Sequence, residues 1–288
     1  MGLWALVNDS RIRHAFSVDV EDWYQSTYDS DAELSDRFER STLKVMDALD
    51  QHGVKATFFV LGLAAQKAPG VVREIARRGH IIQSHGFGHR SNFDLSKDAF
   101  REDILRAKMM LEDMAGYEVY GYRAPCFTID QRNMWVLDIL AETGHRYDSS
   151  IFPLKTRRYG VANYPLEPRI ITTPNGHKMI EAPVTCFGLF GGRLPVGGGG
   201  YFRLWPSWAI EMIWRALEKR GRSGILYMHP YEYDPVEIDQ YREDVALLDR
   251  LHQGIGRRSF SRKIDRLLDH FNFAPLEDVL SPLLENIA

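Results

Sequence analysis

The chain has 288 residues, a formal net charge of −3, 44% hydrophobic residues and 26% charged residues. That suits one large α/β domain or two small ones with a substantial core, and the lack of a basic excess argues against a nucleic-acid partner. Two cysteines, Cys126 and Cys186, are too few for a disulfide framework, Met1 to Asp9 lacks the features of a signal peptide, and no run approaches the roughly 18 apolar residues of a membrane span, so a cytoplasmic location is expected.

In chain order, Phe16, Val18 and Val20 alternate with Ser17, Asp19 and Glu21, the period of a strand with two different faces. Ser35 is a plausible N-cap for a helix burying Thr42, Val45, Met46 and Leu49, with Gly53 at its end. Residues 54–61 read as an apolar strand, Pro69 opens a helix that stops at Gly79, and residues 80–84 form another strand. Ser96 starts a long helix with the stripe Phe100, Ile104, Ala107, Leu111 and Met114, closing at Gly116. A strand at 119–123, a helix from Asp130 to Thr143 and a strand around 145–148 follow. Residues 151–204 are rich in Pro and Gly and read as an insertion that packs as a subdomain or active-site wall. Pro206 begins another helix, 224–228 is a last buried strand, and 235–288 reads as a C-terminal helical extension. Repeated strand–helix units imply an α/β fold with a parallel sheet, open or closed into a barrel.

The polar clusters fall at strand ends, where parallel α/β folds collect their chemistry. Asp19, Glu21 and Asp22 crowd three carboxylates at the end of the first strand, and a nearby cation would relieve their repulsion. A solvated acidic turn is the plain alternative. His85 and His89 lie four apart in Ser84-His85-Gly86-Phe87-Gly88-His89 and can share one metal if the backbone turns there. Arg123 ends a strand and is followed by Ala124-Pro125-Cys126, a rigid turn whose outward amides could bind an oxyanion. His229 follows the last buried strand and is a candidate general acid.

In this combination and order, the clusters resemble the NodB-homology polysaccharide deacetylases, carbohydrate esterase family 4, from about Phe16 to His229. Val18–Trp23, Gly197–Arg203 and His229–Asp234 are similar to motifs of a subgroup found at exosortase and exopolysaccharide loci. The resemblance implies a distorted (β/α) barrel with an inserted segment before the last barrel strand, the whole of 1–288 forming a single NodB-like domain. It also implies a metal held by one carboxylate and two His, with a separate catalytic carboxylate and a catalytic His. Where most of the family carries two adjacent aspartates, this chain has Asp19, Glu21 and Asp22. One alignment makes Asp19 the base and Glu21 the ligand; the other makes Glu21 the base and Asp22 the ligand. Strand periodicity favours the first.

The implied activity is metal-dependent N-deacetylation of an N-acetylated glycan or lipid-linked sugar. Zn²⁺ is the expected cofactor by ligand type, with Co²⁺, Ni²⁺ or Mn²⁺ as alternatives, held by His85, His89 and Glu21 or Asp22. Asp19 would act as base, oriented by Arg123; the Cys126 backbone N–H would bind the oxyanion; His229 would act as acid, with Asp148 as the carboxylate that tunes it. Trp23, Tyr201 and Arg203 are expected substrate contacts, and Gly197–Gly200 a flexible edge beside the sugar. A precursor on the inner membrane face would bring the chain close to the membrane. The competing readings are an amidohydrolase for a cyclic amide or ureide and a non-catalytic carbohydrate-binding scaffold.

Overall fold

In the computed structural model, which describes residues 12–189 and 191–287, the first strand, β1 (His14–Val20), is buried along its whole length. Its two-residue alternation separates two interiors. Phe16, Val18 and Val20 join the main hydrophobic core with side chains from the surrounding helices. Ser17 and Asp19 instead both bond Arg123. Met1 to Asp9 lies outside the described residues.

A short helix, α1 (Trp23–Thr27), leads to α2 (Arg37–Gln51), which buries Thr42, Val45, Met46 and Leu49 as its sequence stripe requires. Asp36 rather than Ser35 occupies the N-cap position. The strand–helix unit then repeats through β2 (Thr57–Val60), α3 (Gly62–Lys67), α4 (Pro69–Arg77), β3 (Ile81–Ser84), α5 (Lys97–Ala115), β4 (Gly121–Tyr122), α6 (Trp135–Glu142) and β5 (Tyr147–Asp148). Ser96 Oγ caps α5 by accepting from Ala99 N at 3.2 Å, and Gly116 closes it. The sixth helix starts later than the expected Asp130. The Asp130 side chain accepts from Arg132 N at 2.9 Å, a local turn that competes with helix.

The segment 151–204 is more integrated than a separate wall. In it, β6 (Arg169–Thr172) and β7 (Lys178–Glu181) form a hairpin whose β7 pairs in parallel with β5, extending the main sheet. Only β8 (Cys186–Leu189) and β9 (Gly192–Pro195) stand apart as a ribbon, ahead of α7 (Gly199–Leu204). The chain continues through α8 (Ser207–Lys219), β10 (Ile225–Met228), α9 (Glu237–Gln240), α10 (Leu247–Gly254), α11 (Arg257–His270), β11 (Phe273–Ala274) and α12 (Leu276–Leu284). The C-terminal extension is therefore not purely helical: β11 pairs with β1 at His14 and Ala15.

The main sheet has the order β10-β1-β2-β3-β4-β5-β7-β6, parallel throughout except for β6. Beyond β7, Thr185 N donates to Ile225 O at 3.1 Å and Ile225 N donates to Thr185 Oγ1 at 2.6 Å. An irregular segment thus reaches back to β10 and curls the sheet into the distorted (β/α) barrel that the resemblance implies. The Gly197–Gly200 run packs against β10 rather than forming a flexible substrate edge. Tyr227 N donates to Gly197 O at 2.7 Å, and a Cβ on Gly198, whose φ is +135°, would lie 1.8 Å from the Tyr227 carbonyl oxygen. Because the strands from β10 to β7 run the same way, their carboxyl ends share one rim. Glu21, His85, Arg123 and His229 each follow one of these strands.

Candidate metal centre and active site

Glu21 lies at the centre of the rim. Its Oε2 is 2.7 Å from His89 Nε2 and 3.4 Å from His85 Nε2, and its Oε1 is 3.4 Å from His229 Nε2. The ligand atoms of Glu21, His85 and His89 all lie within 4.8 Å of one another, and all three residues are buried. Burial alone would raise the Glu21 pKa, but His89, His229 and His85 outweigh it and hold the carboxyl well below the usual carboxylate range.

The His85 ring gives a test of whether a cation fits here. Its Nδ1 lies 2.7 Å from the Arg123 carbonyl oxygen. A carbonyl only accepts, so Nδ1 carries a proton and Nε2 is the ring atom that faces Glu21. In the neutral ring that Nε2 is a free ligand atom beside a carboxylate, an arrangement that a bound cation stabilises. The two-imidazole, one-carboxylate donor set, with its ligand atoms all within 4.8 Å of one another, fits a divalent metal ion.

The loop carrying both histidines is held from outside. His89 adopts a φ of +53°, so the pair sits on a turn rather than on a helix. Phe87 N and Gly88 N donate to Asp103 of α5 at 2.8 and 3.3 Å. Gly62 N and Leu63 N donate to Gly86 O and Phe87 O, both at 2.9 Å. Asp103 is thus a clamp on the ligand loop. In the sequence it reads only as one more polar position between Phe100 and Ile104.

The two alternative carboxylates part company. Asp19 Oδ1 receives Arg123 Nη1 at 2.7 Å, with both side chains buried. Arg123 also donates to Ser17 Oγ and Ser149 Oγ, each at 2.9 Å, and lies 4.2 Å from the centroid of the Phe59 ring. Asp22, considered as a metal ligand, is corrected to a structural cap. Its Oδ1 accepts from Tyr24 N and Gln25 N at 3.1 and 3.2 Å, and its Oδ2 accepts from Ser35 N at 3.0 Å and Ser35 Oγ at 2.5 Å. With Oδ1 engaged at the start of α1 and Oδ2 at Ser35 ahead of α2, both of its oxygens already have hydrogen-bond partners.

His229 stacks on Tyr231 with ring centroids 4.7 Å apart. Glu232 Oε2 accepts from His229 N at 3.1 Å and lies 3.7 Å from Nδ1, while Arg203 Nε is 3.4 Å from Glu232 Oε1. Burial pulls the His229 pKa down, but Glu21, Glu232 and Asp19 together outweigh it and hold the imidazole above its ordinary value. The carboxylate beside His229 is therefore Glu232 and not Asp148. Asp148 bonds Ser150 Oγ at 2.5 Å and Ser150 N at 3.2 Å. It also faces Glu181 across the β5–β7 register. Burial and the Asp148 charge push the Glu181 pKa well up. The signal for Glu232 was its three-residue spacing from His229 across a proline.

Two expected substrate contacts are corrected. Trp23 is wholly buried, packing with Ile238 and Val245 and edge-on to Tyr28 and Tyr241, so it belongs to the core. Arg203 is buried behind Glu232 and donates to the Gln253 carbonyl. Tyr201 is half-buried, its ring nearly parallel to Phe152 at 6.4 Å. Cys126 does reach the surface, with φ +53° followed by Phe127 at +55°. Left-handed non-glycine residues cost roughly 1–3 kcal/mol each, and here they sit beside the cluster. His89 and Cys126 line a cavity of ≈ 400 Å³ that shares Ser30, Asp31, Arg90 and Leu95 with a second cavity of ≈ 770 Å³. The two adjoin at these residues.

Residues 23–147 match the family described as polysaccharide deacetylase, and residues 149–281 match one described as a domain of unknown function, DUF3473. A peptidoglycan-N-acetylglucosamine deacetylase of Bacillus cereus is 40% identical over 84 residues, covering 29% of this chain and 30% of the relative. A chitooligosaccharide deacetylase of Rhizobium leguminosarum bv. trifolii is 35% identical over 63 residues, covering 22% of this chain and 29% of the relative. These matches span less than a third of either relative. Among solved structures, a Mycobacterium smegmatis protein assigned as a polysaccharide deacetylase gives a TM-score of 0.60 at 22% identity, covering 96% of this chain and 89% of its own. PuuE allantoinase gives 0.58 at 16%, covering 93% and 88%. At these identities the similarity is one of fold.

Proposed function

We propose that the chain, whose residues 23–147 match the polysaccharide deacetylase family, is a metal-dependent N-deacetylase acting on an N-acetylated sugar of a cell-surface polysaccharide or its precursor. The observation that carries this reading is the buried cluster of Glu21, His85 and His89, with the Asp19–Arg123 pair and His229 at the same rim.

Glu21, His85 and His89 would hold the ion, with Zn²⁺ favoured by the donor set. A bound divalent ion would supply Lewis acidity toward the acetamide carbonyl and lower the pKa of a nearby water. Asp19, oriented by Arg123, would accept the proton of the attacking water as its oxygen bonds to the acetyl carbon. His229 would give its Nε2 proton to the sugar nitrogen as the C–N bond breaks, leaving acetate and a free amine. The Cys126 backbone N–H would stabilise the developing oxyanion, a contribution of typically about 3 kcal/mol.

The second cavity adjoining the one at His89 and Cys126 supports an oligomeric or polymeric glycan over a free monosaccharide. The test is acetate release from N-acetylglucosamine oligomers by the chain loaded with Zn²⁺ or Co²⁺, with ring opening of a cyclic ureide followed in parallel. Acetate and new amine groups, both lost in Asp19→Asn, are expected. Ring opening without acetate would make the chain a cyclic-amide hydrolase. No metal and no turnover would leave a carbohydrate-binding scaffold.

A further inference from the structure

The helix α10 buries none of its own residues, yet carries three leucines. Leu248 is 79% exposed, Leu247 60% and Leu251 58%, and Ile255 just beyond the helix is 50% exposed. An amphipathic helix in a globular protein normally turns such a stripe onto the core. Here the apolar side chains face out: Leu247, Leu251 and Ile255 line a hollow of ≈ 840 Å³ bounded by α9, α10 and α11, and Leu248 lies outside that lining.

The charge around this hollow opposes that of the chain as a whole. Its lining includes Arg242, Arg250, Arg258 and Arg262 against one carboxylate, Asp239, a local balance of +3 on a chain of −3. Asp249 on α10 and the exposed Glu243 and Asp244 just before that helix lie outside the lining. Exposed leucines interleaved with arginines are the composition of a surface that lies in the headgroup region of an anionic bilayer, apolar side chains entering the acyl boundary and guanidinium groups meeting phosphates. A second copy of the chain is the poorer fit, because a two-fold contact would set the arginines of one copy against those of the other.

We propose that α10 and the start of α11 form a docking surface for an anionic phospholipid membrane. The surface lies close to the rim: Arg257, which precedes Arg258, sits 5.0 Å from the Tyr231 ring, and Tyr231 stacks on His229. Docking itself does not depend on the deacetylase reading, since it is measured without turnover.

The test is cosedimentation of the full chain with phosphatidylglycerol–phosphatidylcholine vesicles, and with phosphatidylcholine alone, across a salt series. Binding should require the anionic lipid, weaken with salt, be lost in Leu248→Glu/Leu251→Glu, and fall about fivefold per arginine in Arg258→Gln/Arg262→Gln. Circular dichroism would establish that both variants are folded, and the arginine variant alone suffices should the leucine variant misfold. No binding to anionic vesicles at low salt, or full binding by a folded variant of either kind, overturns the proposal. A dimer in solution that Leu248→Glu/Leu251→Glu converts to a monomer would overturn it in favour of self-association.

Discussion

Arg123 Nη1 lies 2.7 Å from Asp19 Oδ1, joining the end of β4 to β1 by an ion pair closed to solvent. Removing one partner from a buried pair leaves the other charge uncompensated, at a cost of about 3–5 kcal/mol. Asp19→Asn should therefore do two separable things. Urea unfolding should show a loss of that order, while kcat for acetate release falls by about 10²–10⁴ with metal content unchanged. A variant that keeps its activity would remove Asp19 from the chemistry.

Glu232 stands between Arg203 and His229. Glu232→Gln keeps the shape and can still accept from His229 N, but removes the charge facing Nδ1. The expected result is a drop in kcat of roughly 10–100-fold at full metal occupancy, as for other partners that orient a functional imidazole. Asp148→Asn, away from His229, should leave kcat within a few fold if the fold persists. Steady-state kinetics on both variants would expose an error if Asp148→Asn proved the more damaging.

Asp103 acts on the site only through the backbone of the histidine loop. In Asp103→Ala two amides lose their acceptor and the loop is freer to move, so metal affinity should weaken about 10–100-fold with little change in helix content. Competition with a chromophoric chelator measures the affinity. An unchanged dissociation constant would mean that the hydrogen bonds to Gly86 and Phe87 suffice to hold the loop.

Three histidines away from the rim predict how stability varies with pH. Burial lowers the pKa of His14 to about 4, of His80 to about 4 and, with Lys108 adding to it, of His145 to about 3. The geometry agrees for the first two, since Gly224 N and Ala56 N donate to His14 Nδ1 and His80 Nδ1. Between the folded value and the unfolded value of about 6.5, the unfolded chain binds the proton and the folded chain does not. Stability should thus be full above about pH 6.5 and fall as the pH drops toward 4, by up to about 3 kcal/mol for each fully buried ring. Urea midpoints at pH 7, 5.5 and 4.5 would show it, and His80→Gln should flatten the slope. A flat wild-type profile contradicts the burial account.

Much of this architecture is legible in the sequence because its signals are local. Ser96 and Gly116 bound α5, and the alternation of Val18, Asp19 and Val20 separates the helix-packed core from the Arg123 side. Glu21 could be preferred to Asp22 by the same two-residue period. What was misread depends on partners distant in sequence. Trp23 looks like an exposed platform until Ile238 and Val245 close over it. Arg203 looks like a substrate contact until Glu232 meets it. The strands β7 and β11 are short, and only their pairing with β5 and β1 distinguishes them from loop.

The most direct measurement is Zn²⁺ titration of the metal-free chain by calorimetry, comparing wild type with Glu21→Gln and Asp22→Asn. One ion per wild-type chain is predicted, with affinity falling by two orders of magnitude or more, on the order of 3 kcal/mol, in Glu21→Gln and nearly unchanged in Asp22→Asn. Retained binding in Glu21→Gln together with loss in a folded Asp22→Asn would contradict the account at its centre.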